Sequence, residues 1–348
     1  MSRAVVGIGW VGLAGVVSGG LLPLPGHWDV TPTYSVGSQE WSWLLVDGPV
    51  SHPPETAFFP GYDGDYFDNE GERIDRPSGS QWDFIGVAAG EPVWIFPEAT
   101  TYGTQAEPGF GETQSGVFSG NLEVRLAGVD GPQGADFSMF DNGGTYMATS
   151  DGIDASDLLL KPAFHSHQNW AFTSKGMWRV RLQVMGYLGP GATNPTPLSA
   201  EVPLHFAIGG VARWRAEHFD AAVVMDEAVA GPDADPDGDR LVNLVEYALG
   251  GDPGDATGSD HGAPVAPEVG IDGGRLTISF HRRSAPPADE GISISVEWAD
   301  SLGGPWQAGG SQVDLDPAAS GWERVTMRDA APSPGDRRFA RVRVVQTP

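Results

Sequence analysis

The chain of 348 residues contains no cysteine. Structural disulfides, thiolate metal sites and cysteine nucleophiles are therefore excluded. Positive charge is scarce: 20 Lys and Arg stand against 46 Asp and Glu, for a net charge of −26. A surface this acidic repels nucleic acid and anionic lipid, favours solubility outside the cell and attracts divalent cations. The sequence holds no Gly-x-Ser-x-Gly, no His-Glu-x-x-His and no phosphate-binding glycine loop, so no motif directs it to a familiar reaction class. Beyond the N-terminus no apolar segment is long enough to span a bilayer.

What is abundant is glycine, at 49 residues, and proline, at 29. Short Val-, Thr- and Trp-rich runs lie between these turn formers. That composition predicts a mostly β protein. Arg3 precedes an apolar, Gly-rich run from Ala4 to Val17, followed by Ser18-Gly19-Gly20. This is the pattern of a signal peptide over residues 1–20, and it implies export.

Residues 21–209 are expected to form a large β-sandwich domain. In Met177–Val184, Val180, Leu182 and Val184 alternate with Arg179, Arg181 and Gln183, as in a strand with one buried face. Residues 210–255 read as a linker. A short helix is expected at Trp214–Phe219, and a second through Leu241, Leu244, Val245 and Leu249, stopped by Gly250-Gly251 and Pro253. Residues 256–348 return to β, with strands at Arg275–Phe280, Ile292–Trp298 and Arg338–Val345. A small sandwich of the fibronectin-III or immunoglobulin kind fits them.

The linker carries Asp235-Pro-Asp237-Gly-Asp239-Arg-Leu241-Val-Asn243-Leu-Val-Glu246. Counted from Asp235, oxygen-bearing side chains fall at positions 1, 3, 5, 9 and 12, and the Leu241 carbonyl stands at position 7. Calcium takes six to eight hard oxygens, and this spacing supplies them. The loop resembles the calcium loops of dockerin modules. Position 6 is usually Gly there and is Arg240 here, where a positive φ would be costly. An acidic turn that merely caps a helix is the competing reading.

A second constellation is Gly26-His27-Trp28-Asp29 together with Phe164-His165-Ser-His167-Gln-Asn169-Trp170. On extended backbone His27 and Asp29 share a face, as do His165 and His167. Four such donors are a start to a copper, zinc or manganese site; histidines that only satisfy strand ends are the alternative. These two motifs, with Phe84-Ile-Gly86 through Pro97 between them, resemble the bacterial surface domain called choice-of-anchor M over residues 24–209. The resemblance implies an exported, envelope-associated domain and brings no established activity. The segment from Trp214 to Pro253 with the final β module resembles a C-terminal unit common in exported bacterial proteins.

The sequence thus leads to a non-enzymatic, calcium-stabilised envelope protein with a transition-metal site. Its partners would be calcium and a cell-envelope component or polysaccharide. A carbohydrate-binding or adhesion module is the alternative, with Trp28, Trp41, Trp43, Trp82, Trp94, Trp170 and Trp178 as platform candidates. A hydrolase using surface carboxylates is the weaker one. The acidic stretch Asp63, Asp65, Asp68, Glu70, Glu72 and Asp75 reads as a solvated loop.

Overall fold

The structure, a computed structural model, describes residues 19–66, 71–98, 105–189, 191, 193–284, 291–318, 321–331 and 337–347. The expected signal peptide lies outside the described residues up to residue 18, as do Asp68 and Glu70. Strands make up 49% and helices 8%, so the fold is mostly β, as the turn-rich composition implied.

The N-terminal part stacks three sheets around one aromatic core. A six-stranded sheet has Gly176–Met185 near its centre, flanked by Val202–Ile208 and Leu122–Asp130. Val180, Leu182 and Val184 are buried while Arg179, Arg181 and Gln183 face outward. The outward arginines pair with Asp130 and Glu201. A second sheet centres on Asn169–Phe172. Phe59, Phe96, Trp170, Phe172, Trp178 and Phe206 fill the space between the sheets. Each such fully buried side chain contributes about 1.5–3 kcal/mol of transfer free energy.

The third sheet carries the His27 and His167 candidates. It consists of β1 (Gly26–Ser35), β2 (Glu40–Asp47), β3 (Val50–His52), β4 (Ala106–Phe110) and β5 (Ser166–His167), in the spatial order β5-β4-β1-β2-β3. β4 runs parallel to β1 and antiparallel to β5.

Helix α1 (Gly210–His218) follows directly on the strand Val202–Ile208. It starts earlier than the sequence suggested and ends where Phe219 turns extended. Helix α2 (Asn243–Leu249) is closed by Gly250 at φ 81°, the stop read from the sequence. Leu241 falls before its first turn, in the preceding loop. α2 joins two cores. Tyr247 packs with Trp214 and Phe219 in the linker cluster, and Leu249 packs with Ile278, Phe280 and Trp298 in the C-terminal cluster.

The C-terminal part is a sandwich of a four-stranded and a three-stranded sheet. Strands Arg275–Arg283 and Ile292–Ala299 face each other through Ile278, Phe280, Val296 and Trp298. Ser311–Pro317, which shows no burial alternation because it is exposed throughout, also belongs to it.

Candidate metal centre

The third sheet assembles the site by register. His27 on β1 stands opposite Glu107 on β4. In the next same-face row, Asp29 on β1, Gly109 on β4 and His167 on β5 lie side by side. Residues in register share a sheet face, so these groups point the same way. His165 joins them from just before β5.

Gly109 explains how His167 reaches across the row. A Cβ there would fall inside van der Waals contact of three His167 ring atoms. The imidazole lies over the bare backbone and so approaches Asp29 and His27. Gly109→Ala is therefore expected to abolish tight transition-metal binding while the protein keeps its β circular-dichroism spectrum. Unchanged metal stoichiometry and affinity in that variant would refute this account of Gly109.

Lys161 anchors the His165 segment. Its strand, Leu158–Lys161, puts Leu160 in solvent and buries Leu159 and Lys161. The Lys161 ammonium donates to the carbonyls of Pro162 (2.7 Å) and Phe164 (3.1 Å), pinning the backbone up to His165. Burial pushes its pKa down to about 8, against the pull of Asp29 and Glu112.

The outcome is convergence. The Nε2 atoms of His27, His165 and His167 are 3.1, 3.2 and 2.9 Å apart. Asp29 Oδ1 lies 2.9 Å from His165 Nε2 and 3.6 Å from His27 Nε2. A neutral imidazole has one N–H and one lone pair, so three Nε2 atoms in mutual contact cannot satisfy one another. Asp29 Oδ1 is buried and makes no well-formed hydrogen bond. Four donor atoms thus aim at one point, an arrangement that a cation stabilises and that is repulsive without one. His167 is held neutral, its pKa pushed down to about 4 by burial and by the neighbouring His165 and His27. That is the protonation state a ligand needs. The side chains of His27 and His165 are 39% and 42% exposed, so one side of the site opens to solvent.

The Asp235–Glu246 loop forms a second cluster. The carboxylates of Asp235, Asp237 and Asp239 come within 4.8 Å of one another. Asp235 accepts from the backbone N–H groups of Gly238 and Arg240, Asp237 from Asp239, and Asp239 from Leu241. Arg240 adopts φ 80°, the strained conformation its position implied. Asn243 uses its amide N–H groups to hold the carbonyls of Val229 and Gly231, and its Oδ1 has no hydrogen-bond partner. Glu246 stands outside the three-Asp group. It is 2% exposed with an unpartnered Oε2. Burial, then the charges of Asp237, Asp239, Asp252 and Asp235, push its pKa up to about 8.

The remaining candidates disperse. Trp43, Trp94, Trp170 and Trp178 are buried in the core, which leaves Trp28, Trp41 and Trp82 partly exposed. In the acidic stretch, Asp63 pairs with Lys175 and accepts from the Trp94 indole. Glu72, expected in solvent, is fully buried and accepts from the Tyr62 backbone. Burial raises its pKa to about 8. His205 is buried as well, and its pKa is pushed down to about 4 by burial and by Arg179.

No protein-family model matches the chain. No curated protein matches it either. Among solved structures it is similar to the secreted serine protease VesC from Vibrio cholerae at 9% identity, over 69% of this chain, with a TM-score of 0.12. The chain spans 50% of that structure, and so faint a likeness carries no argument. Among the described residues no helix is long and apolar enough to cross a membrane.

Proposed function

We propose that this chain is a non-enzymatic, exported cell-envelope protein that holds one transition-metal ion through His27, Asp29, His165 and His167. The observation that carries the reading is the meeting of three Nε2 atoms and one carboxylate oxygen at a single point.

The imidazole-rich donor set favours zinc over manganese, which prefers oxygen ligands, and the spacing argues against copper(II). Imidazole nitrogens about 2.0–2.1 Å from a tetrahedral ion lie about 3.3 Å apart. Square-planar copper(II) would place two of three imidazoles trans, about 4 Å apart. The three N–N distances, 2.9 to 3.2 Å, leave no trans pair. With four protein donors a tetrahedral ion would keep no open coordination position, which suits capture and display better than catalysis.

A second part of the proposal concerns calcium. The Asp235–Glu246 loop would bind it through Asp235, Asp237, Asp239, the Leu241 carbonyl, Asn243 and Glu246. The ion would stiffen the start of α2, whose Tyr247 and Leu249 tie the linker core to the C-terminal sandwich. Export and attachment to the envelope rest on the signal-like N-terminus and on the resemblance to choice-of-anchor M domains.

The test is elemental analysis of the protein purified without chelator. One equivalent of zinc and one of calcium per chain is the expected result. Calcium alone would leave the four-donor cluster without its ion and overturn the transition-metal reading.

A further inference from the structure

We infer that Glu107 is a positioning residue for this site: it takes the Nδ1–H of His167 and so fixes the tautomer that leaves Nε2 free for the metal. The inference rests on the metal reading and adds a residue the motifs did not contain.

The first observation is orientation. His167 turns Nε2 toward His27 and His165, so Nδ1 is its rear atom. That atom is buried and has no hydrogen-bond partner. The second is proximity. Glu107 Oε1 lies 3.7 Å from His167 Nδ1, and both side chains are largely shielded, at 16% and 11% exposed. The third is rigidity. β4 is paired with β1 at Glu107 itself and with β5 just beyond it, at Gly109 and Phe110, so the Glu107 backbone is held in place. A small side-chain rotation closes the gap to a charge-assisted hydrogen bond of about 2.7–2.9 Å.

The chemistry follows. A carboxylate only accepts, so it selects the Nδ1–H tautomer and raises the basicity of Nε2. His27 has a weaker counterpart in Asp47, 4.0 Å from its Nδ1, but Asp47 is 57% exposed and water competes for it. Glu107 therefore carries most of this effect. Loss of such an orienting group costs about 10–100-fold in metal affinity.

The experiment compares the parent with Glu107→Gln and Glu107→Asp. Zinc affinity is read by competition with a chromophoric chelator. The His167 tautomer is read in the metal-free protein from long-range ¹⁵N–¹H correlations of its ring, and thermal melts are recorded in chelator. A glutamine amide both donates and accepts, so it no longer selects a tautomer. Glu107→Gln is expected to populate the Nε2–H form and to weaken zinc binding 10–100-fold with the melt unchanged. Glu107→Asp restores the parent tautomer and part of the affinity. A parent that binds no zinc overturns the metal reading itself. A parent that binds zinc, with tautomer and affinity unaltered in Glu107→Gln, overturns the role of Glu107 alone. Equal losses of affinity and melting temperature in both variants also overturn it, because they mark a merely structural residue.

Discussion

Replacing His165 and His167 together by alanine should eliminate the bound transition metal and leave the fold standing. The two residues supply half of the four donors and two of the three imidazoles. What is left, His27 and Asp29, is a two-donor surface pair. The affinity loss should exceed the 10–100-fold typical of an orienting residue. The fold should tolerate the change because neither histidine belongs to a core cluster. β5 pairs with β4 through its backbone, and the His165 segment stays pinned by Lys161. Removing the shielded His167 ring costs about 1 kcal/mol, the ordinary size of a point substitution. Zinc titration calorimetry with melts in chelator checks both halves. Unaltered zinc binding in the double variant would show that the convergence of nitrogens is not a metal site.

Chelation of calcium should lower the melting temperature by several degrees and expose a pH dependence that calcium suppresses. An ion present at 100 times its dissociation constant stabilises by about 2.7 kcal/mol. The pH effect comes from Glu246. Its folded pKa, about 8, lies above the ordinary 4.5. The folded protein without calcium therefore binds more protons than the unfolded chain between those values. Stability is then full below the unfolded pKa and falls as pH rises through the folded one. Calcium replaces that proton, so the Glu246 contribution disappears when the ion is bound.

Other groups set the window for this comparison. Glu72, also raised to about 8, contributes a slope of the same sign that calcium leaves in place. His205 and His167, both pushed down to about 4, act in the opposite sense. Their stability is present above the unfolded pKa and is lost as pH falls toward the folded one. Between pH 6.5 and 8 the unfolded histidine passes from half-protonated to neutral, which contributes about 0.4 kcal/mol per residue with or without calcium. Melts at those two pH values, each in calcium and in chelator, isolate Glu246, because the other groups contribute equally to both. The chelated protein should lose on the order of 1 kcal/mol more across this interval than the calcium-loaded one. Identical melts in calcium and chelator would sink the calcium proposal.

Much of this was legible in the sequence where the signal was local. The alternation in Met177–Val184 appears in the structure as one buried and one exposed face. Gly250 closes α2 in the left-handed conformation that its place implied, and Arg240 takes the positive φ expected at position 6 of the loop. The i, i+2 spacing of His27 with Asp29 and of His165 with His167 marked both halves of the four-donor cluster. It could not show that the halves meet, because a separation of 138 residues is closed by sheet register.

The residues that make them meet carried no local signal. Ala106-Glu-Pro-Gly-Phe110 draws no strand assignment, since Pro and Gly rarely occupy a strand interior. It is the strand between the two halves, and its glycine is the gap that His167 covers. Nothing in the local sequence marks Lys161; the pairing of its strand turns it inward with Leu159. Glu72 reads as part of a solvated acidic loop, and only the tertiary fold buries it.

X-ray absorption at the zinc edge on the zinc-loaded protein tests the central claim most directly. The account predicts a four-coordinate shell at about 2.0–2.1 Å with the multiple-scattering signature of three imidazoles and one oxygen donor. A shell of oxygens alone, or one with a single imidazole, would contradict it.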